Sequence, residues 1–417
     1  MGMTIIEKIL SRAGGGETVK PGDLATVKVD IACLFDNNFM ASVWREVLHV
    51  QDPSKVVVVI DHRAPAAHVG SAHAHSTARA FVEQFGIEKM HDIGYDQGIC
   101  HVLMAEHGYA RPGGVLLCSD SHTCSAGALN CAARGVGTPD MLYAITKGET
   151  WFRVGETIRY ELTGQLPDNA FMKDVFFQIA GEHGGHVSQN VEFGGAALAT
   201  LGIDARRTMA TMGAELSAEF STFEPDDMLV NYVKERTKEP FEPQMPDADA
   251  TYLDKREINL SKIEPLVALP DSVVNNSAKV SDVAGTKLDQ CFVGSCANGT
   301  FDDLASVAKV LAGRKVAKGT RFIITPGSQS IYRRALKAGI VETLLEAGAV
   351  VTNSTCGACG GGHMGIVGAN ENVITASTRN FKGRMGDPSA KIYMGSSATV
   401  AASAVEGAIA DPTAYLS

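Results

Sequence analysis

Short apolar runs that alternate with stretches of helical spacing constrain this chain more than any other feature. Val56 to Ile60 (VVVVI) is the clearest run: five β-branched residues in a row fit a strand covered on both faces. Val115 to Cys118, Gln290 to Val293, Arg321 to Thr325 and Ala349 to Thr352 repeat the theme. Helical patterns lie between them, at about Ser71 to Phe85, Asp302 to Leu311 and Gln329 to Ala347. That alternation is the signature of a mainly parallel sheet faced by helices, so the expected fold class is α/β. Several of these strands run straight into a polar cluster. In open α/β sheets ligands bind at the carboxyl ends of strands.

At 417 residues the chain exceeds a single domain of about 150. Gly and Pro interrupt the pattern at Leu162 to Asp168, and Lys238 to Lys262 is a proline- and charge-rich stretch with the composition of an exposed connector. Three domains are expected, about 1–165, 166–285 and 286–417. The net charge is −10, from 37 basic and 47 acidic side chains, and no basic run offers a footprint for nucleic acid. No apolar stretch approaches the roughly 18 residues that a membrane span needs. The start, MGMTIIEKILSRAGGG, lacks the apolar core of a signal peptide, and Ile6 breaks the lipidation pattern after Gly2. These readings exclude nucleic acid and membrane as partners and predict a cytoplasmic protein.

Nine cysteines without a leader direct attention to metal or catalysis before disulfides. Cys33, Cys100, Cys118, Cys131 and Cys291 stand in apolar contexts and read as small buried hydrophobes. Cys296, Cys356 and Cys359 differ, because they fall on two strand-end loops. A Cys-x-x-Cys pair with one remote Cys lacks the fourth ligand of a structural zinc site. It fits a [4Fe–4S] cluster with three Cys ligands and one open iron, while zinc and a redox dithiol remain as alternatives. Gly294, Ser295, Gly357, Gly360 and Gly361 would let backbone approach such a cluster. Gly360-x-Gly362-x-x-Gly365 matches a dinucleotide fingerprint, but Cys359 abuts it and no acidic residue follows at the expected distance.

Asp61-His62 and Asp120-Ser121-His122 each follow a strand, so two acid–imidazole groups could meet at one sheet edge and handle protons. His68, His73 and His75 open a small-residue helix and read as non-ligands. Arg379 and Arg384, in a Gly-punctuated segment downstream of the cysteines, offer guanidinium forks for carboxylates.

Taken in order, Asp61-His62, Ser119-Asp120-Ser121-His122-Thr123, Gly294-Ser295-Cys296-x-Asn298, Cys356-Gly-x-Cys359 and Arg379-Asn-Phe-x-Gly-Arg384 resemble the signature motifs of the aconitase superfamily. The likeness spans essentially the whole chain and is greatest to large subunits of the 3-isopropylmalate dehydratase group, with its homoaconitase-like and dimethylmaleate or maleate hydratase-like members. The resemblance implies three α/β/α domains with mainly parallel sheets around a central [4Fe–4S] cluster held by Cys296, Cys356 and Cys359. It implies that Asp61, His62, His101, Asp120, His122 and Glu215 handle water or hydroxyl and its protons. Ser121, Asn298, Arg379 and Arg384 would hold a small di- or tricarboxylate. The implied reaction is reversible dehydration of a 2-hydroxy dicarboxylate, with the proton-abstracting serine on a swivelling domain carried by a separate small subunit. Departures fall at Ala297, Thr300, Thr378 and Thr211, where the family carries Thr, Arg, Asn and Asn. These put the substrate in question and raise maleate, citraconate, dimethylmaleate or a homoaconitase substrate as the alternative.

Overall fold

The computed structural model describes residues 2–416; Met1, at the head of the N-terminal stretch weighed above, and Ser417 lie outside the described residues. Three sheets and one ribbon organise the described residues. The first sheet orders its strands Lys89–His91, Val56–Val59, Ile31–Phe35, Val115–Cys118 and Ala132–Gly135, all parallel. The second orders Ser221–Phe223, Gln189–Gly194, Glu156–Thr163 and Asp254–Asn259, again all parallel. The third has seven strands, with Ser277–Lys279 and Leu266–Ala268 antiparallel at one edge and the other five parallel. Leu24–Lys28 and Glu149–Arg153 form an antiparallel ribbon beside the first sheet. Among the described residues no helix is long and apolar enough to cross a membrane.

The local reasons are visible in single elements. All four residues of Val56–Val59 are buried, as a strand covered on both faces requires. The helix Val69–Phe85 begins at His68, whose Nδ1 accepts from the Ser71 amide, and ends at Gly86 in the left-handed region at φ 64°. His68 is thus a helix cap. His75 is buried 3.7 Å from Asp36, on the far side of that helix start from solvent. The expected helix from Gln329 to Ala347 is two helices, Gln329–Lys337 and Ile340–Glu346, broken by Gly339 at φ 73°.

Sheet membership shifts the expected divisions toward the N-terminus. Glu156–Thr163 lies before residue 165 yet pairs in the second sheet, and Leu266–Ala268 and Ser277–Lys279 lie before residue 286 yet pair in the third. The polar stretch at 238–262 is only partly a connector, because Asp254–Asn259 (DKREIN) is an edge strand of the second sheet. Asp254, Lys255 and Glu257 are exposed, and an exposed charged edge has the composition of a loop. Glu156–Thr163 likewise departs from an apolar strand pattern, since it buries Arg159 among Glu161, Glu192 and Glu224.

Candidate active site

The chemistry-bearing residues collect where parallel strands of the first and third sheets end. Val56–Val59 leads to Asp61-His62 and Val115–Cys118 to Asp120; Gln290–Val293 leads to Cys296 and Asn372–Thr375 to Arg379. Hydrogen bonds to backbone carbonyls join the loops of the two sheets. The Asp61 carbonyl accepts from the Cys356 amide at 3.2 Å and from the Thr355 hydroxyl at 2.5 Å. Gln97 Nε2 donates to Ser354 O at 2.8 Å, and the Ile99 amide to Gly327 O at 2.9 Å.

Carboxylates and imidazoles form a continuous chain there. Asp61 is fully buried; Oδ1 meets His62 Nδ1 at 2.7 Å and Oδ2 accepts from the Cys100 amide at 2.8 Å. Asp120 Oδ1 meets His101 Nε2 at 2.7 Å and accepts the His122 amide at 2.9 Å, while Oδ2 lies 3.6 Å from His62 Nε2. His122 Nε2 meets Glu215 Oε1 at 2.9 Å, and Arg379 Nε donates to the same oxygen at 2.7 Å. Burial pushes the Asp120 carboxyl up, but hydrogen bonds from His101, His122 and His62 outweigh it and hold the group well below its usual range. Burial would lower His62, yet Asp61 and Asp120 raise it well above the ordinary imidazole value. Asp120 and Glu215 likewise overcome burial to raise His122, and His122 and Arg379 keep Glu215 below the usual range against its own burial. The result is a row of carboxylates and imidazoles in which His62 and His122 are both shifted toward the protonated form. Ser121 is exposed at its margin.

Cys296, Cys356 and Cys359 are all buried free thiols. A hydrogen bond from Cys356 lowers the Cys359 thiol well below its ordinary value against the effect of burial, helped by Arg384. Arg384 Nη2 lies 3.8 Å from Cys359 Sγ, and its Nε is buried with no partner among the described residues. Thr378 Oγ1 lies 3.4 Å from the same sulfur. The loop needs its glycines: a Cβ on Gly361, at φ 64°, would sit 2.5 Å from the Arg384 carbonyl. Ser295 adopts φ 76° without being glycine, a strained turn immediately before Cys296. Three thiols without disulfides, one of them favoured as thiolate and facing an unsatisfied guanidinium, are a donor set suited to an iron–sulfur cluster. The dinucleotide reading has no support, because Gly361 to Gly365 lie in turns and bends and no helix opens there.

The structure brings together the acid–base residues, the thiols and both arginines. Asn298 stands apart from them in kind: both ends of its carboxamide are used internally, Oδ1 by Lys173 Nζ at 3.1 Å and Nδ2 by Asp303 Oδ1 at 3.0 Å. These bonds hold it in the wall of the site, where the sequence reading expects it to hold substrate. Sequence reading missed Asp36, whose oxygens accept the His62 and Arg63 amides at 3.1 and 2.8 Å and so fix the turn carrying His62. The strand-end rule would have found it, since it directly follows Ile31–Phe35. Asp36, Asp61 and His62 are close enough to hold a metal, but those backbone donors already occupy both carboxylates. Lys173 was missed too. Its signal is a Lys-Asp pair inside the apolar run Phe171 to Phe177.

A model of the aconitase family (aconitate hydratase) matches residues 40–283 and 272–407. The chain belongs to the aconitase family. It is 50% identical over 411 residues to a protein of Mycolicibacterium smegmatis named 3-isopropylmalate dehydratase large subunit, covering 99% of this chain and 97% of that protein. A Methanopyrus kandleri protein named 3-isopropylmalate dehydratase large subunit 1 is 42% identical, with each chain fully covered. A Methanothermobacter thermautotrophicus protein named probable methanogen homoaconitase large subunit is 39% identical, covering 98% of this chain and 97% of the other. The aconitase-family assignment makes the chain a hydro-lyase, in a family whose proteins bind a [4Fe–4S] cluster.

Proposed function

We propose that this chain is the large subunit of a heteromeric hydro-lyase that reversibly dehydrates a 2-hydroxy dicarboxylate of the 3-isopropylmalate type. The observation that carries the reading is the meeting of the Asp61-His62-Asp120-His101-His122-Glu215 chain with three buried thiols and two arginines. Cys296, Cys356 and Cys359 would hold the [4Fe–4S] cluster. When bound, a cluster with three cysteine ligands supplies a Lewis acid at the iron they leave open. Arg379 and Arg384 grip substrate carboxylates as forks. His62, protonated and fixed by Asp61, is placed to give its proton to the departing hydroxyl, and His101 and His122 are oriented by Asp120 and Glu215 around the same space. The relatives named large subunits support a small-subunit partner, which would bring the base that takes the carbon-bound proton.

One observation favours a smaller substrate. Thr300, at the position of the family's arginine, turns its hydroxyl into the cap of helix Phe301–Leu311 and bonds Asp303 at 2.7 Å, so no cation reaches out from there. The deciding experiment is anaerobic co-expression with the small subunit, followed by an absorbance screen of isopropylmalate, maleate, citraconate and dimethylmaleate. A brown protein that turns over isopropylmalate supports the main reading. Hydration of maleates alone moves the assignment to the smaller substrates, and a colourless protein without iron sinks both.

A further inference from the structure

We infer that Lys173 is a positioning residue that locks three chemistry-bearing segments to one another, a role that rests on the reading of the site given above. It lies on helix Met172–His183 in the second unit of the chain and is fully buried. Nζ donates to Ser377 O at 2.7 Å, to Ala376 O at 3.1 Å and to Asn298 Oδ1 at 3.1 Å, and Met212 Sδ lies at 3.3 Å. An ammonium has three N–H donors, and here each has an oxygen.

The acceptors are not scattered. Asn298 follows closely on Cys296, Ser377 shortly precedes Arg379, and Met212 shortly precedes Glu215. One side chain therefore ties a thiol loop, the arginine turn and the glutamate turn. The carboxamide of Asn298 passes the link on to Asp303, which also holds Ser397 at 2.7 Å. Burial lowers the Lys173 pKa to about 8, and Asp303, reached through Asn298, is the foremost group that favours the ammonium. A buried ammonium persists only where its donors are met, and each of the three N–H groups of Lys173 has an oxygen. Removing it leaves two carbonyls and an amide oxygen buried without a donor, and frees the turn that carries Arg379.

The test uses the complex of this chain with its small subunit, reconstituted anaerobically with iron and sulfide, as the parent and as Lys173→Met. The variant is expected to fold and take up iron, to raise KM for the dicarboxylate about tenfold or more with a smaller loss in kcat, and to alter the paramagnetic resonance signal of the substrate-loaded cluster. Parent-like KM and signal with only a lower melting temperature would overturn the inference. A parent protein that takes up no iron overturns the underlying reading of the site instead. Should Lys173→Met fail to accumulate, Asn298→Leu cuts the link to the thiol loop alone: an altered paramagnetic resonance signal supports the role, and a parent-like signal refutes it.

Discussion

Asp120 shows how much one side chain is asked to do. It accepts from His101 and from the His122 amide and stands 3.6 Å from His62, so the charge states of its neighbours depend on it. Asp120→Asn removes one of the groups that raise His62, and the His62 titration is expected to move toward lower pH. Carbon-13 histidine resonances followed against pH read this directly, and an unmoved midpoint would contradict the network. Arg379 makes a different demand, for geometry as well as charge. Its Nε is committed to Glu215, which leaves the rest of the fork for a carboxylate. Arg379→Lys keeps the charge but has no fork, so KM is expected to rise about 10- to 100-fold with a smaller effect on kcat. Equal KM in the two proteins would remove Arg379 from substrate binding. At this scale the sequence was informative wherever a residue followed a strand. It could not show that Asn298 is turned inward, because that depends on Lys173, 125 residues away.

Elements in this protein are joined by buried polar groups as well as by apolar faces. Arg206 is fully buried in helix Ile203–Met212 and donates to the Leu198 and Leu201 carbonyls and to Asp226, which caps helix Asp227–Lys234. Arg206→Met strands those acceptors, at a cost on the order of 2–4 kcal/mol, discounted because Asp226 is partly exposed and can rehydrate. Urea unfolding measures this, and a loss below about 1 kcal/mol would show that the arginine is a passenger. Gly361→Ala tests the cysteine loop. The added Cβ meets the Arg384 carbonyl and demands an unfavourable backbone, so the loop must shift. Faster loss of bound iron to a chelator than in the parent is the expected result, and an equal rate would mean that the loop tolerates the shift. Strand and helix order were legible from apolar runs. The edge strand Asp254–Asn259 was not, because its pairing with Glu156–Thr163 leaves Asp254, Lys255 and Glu257 exposed to solvent.

The whole molecule carries a built-in sensitivity to acid. Burial lowers His91 and His186 to a pKa of about 4. The folded state then binds fewer protons than the unfolded one between about pH 4 and 6.5, so this stability is full above about 6.5 and is lost as pH falls toward 4. At about 1.4 kcal/mol per unit, His91 contributes at most about 3 kcal/mol and the more solvated His186 less. His186→Gln is expected to flatten the fall in urea midpoint between pH 7 and about 4.5, and an unchanged slope would assign the acid response elsewhere. The sequence by itself determined the class of fold and most of the candidate site, because the parallel strands that lead to that site are largely apolar and turn polar where they end. Tertiary structure decided the rest. Which strands share a sheet, which carboxamide is spent inside the wall and which lysine ties three loops together depend on contacts between residues far apart in the chain. No local pattern encodes a hydrogen bond whose two ends lie on different sheets.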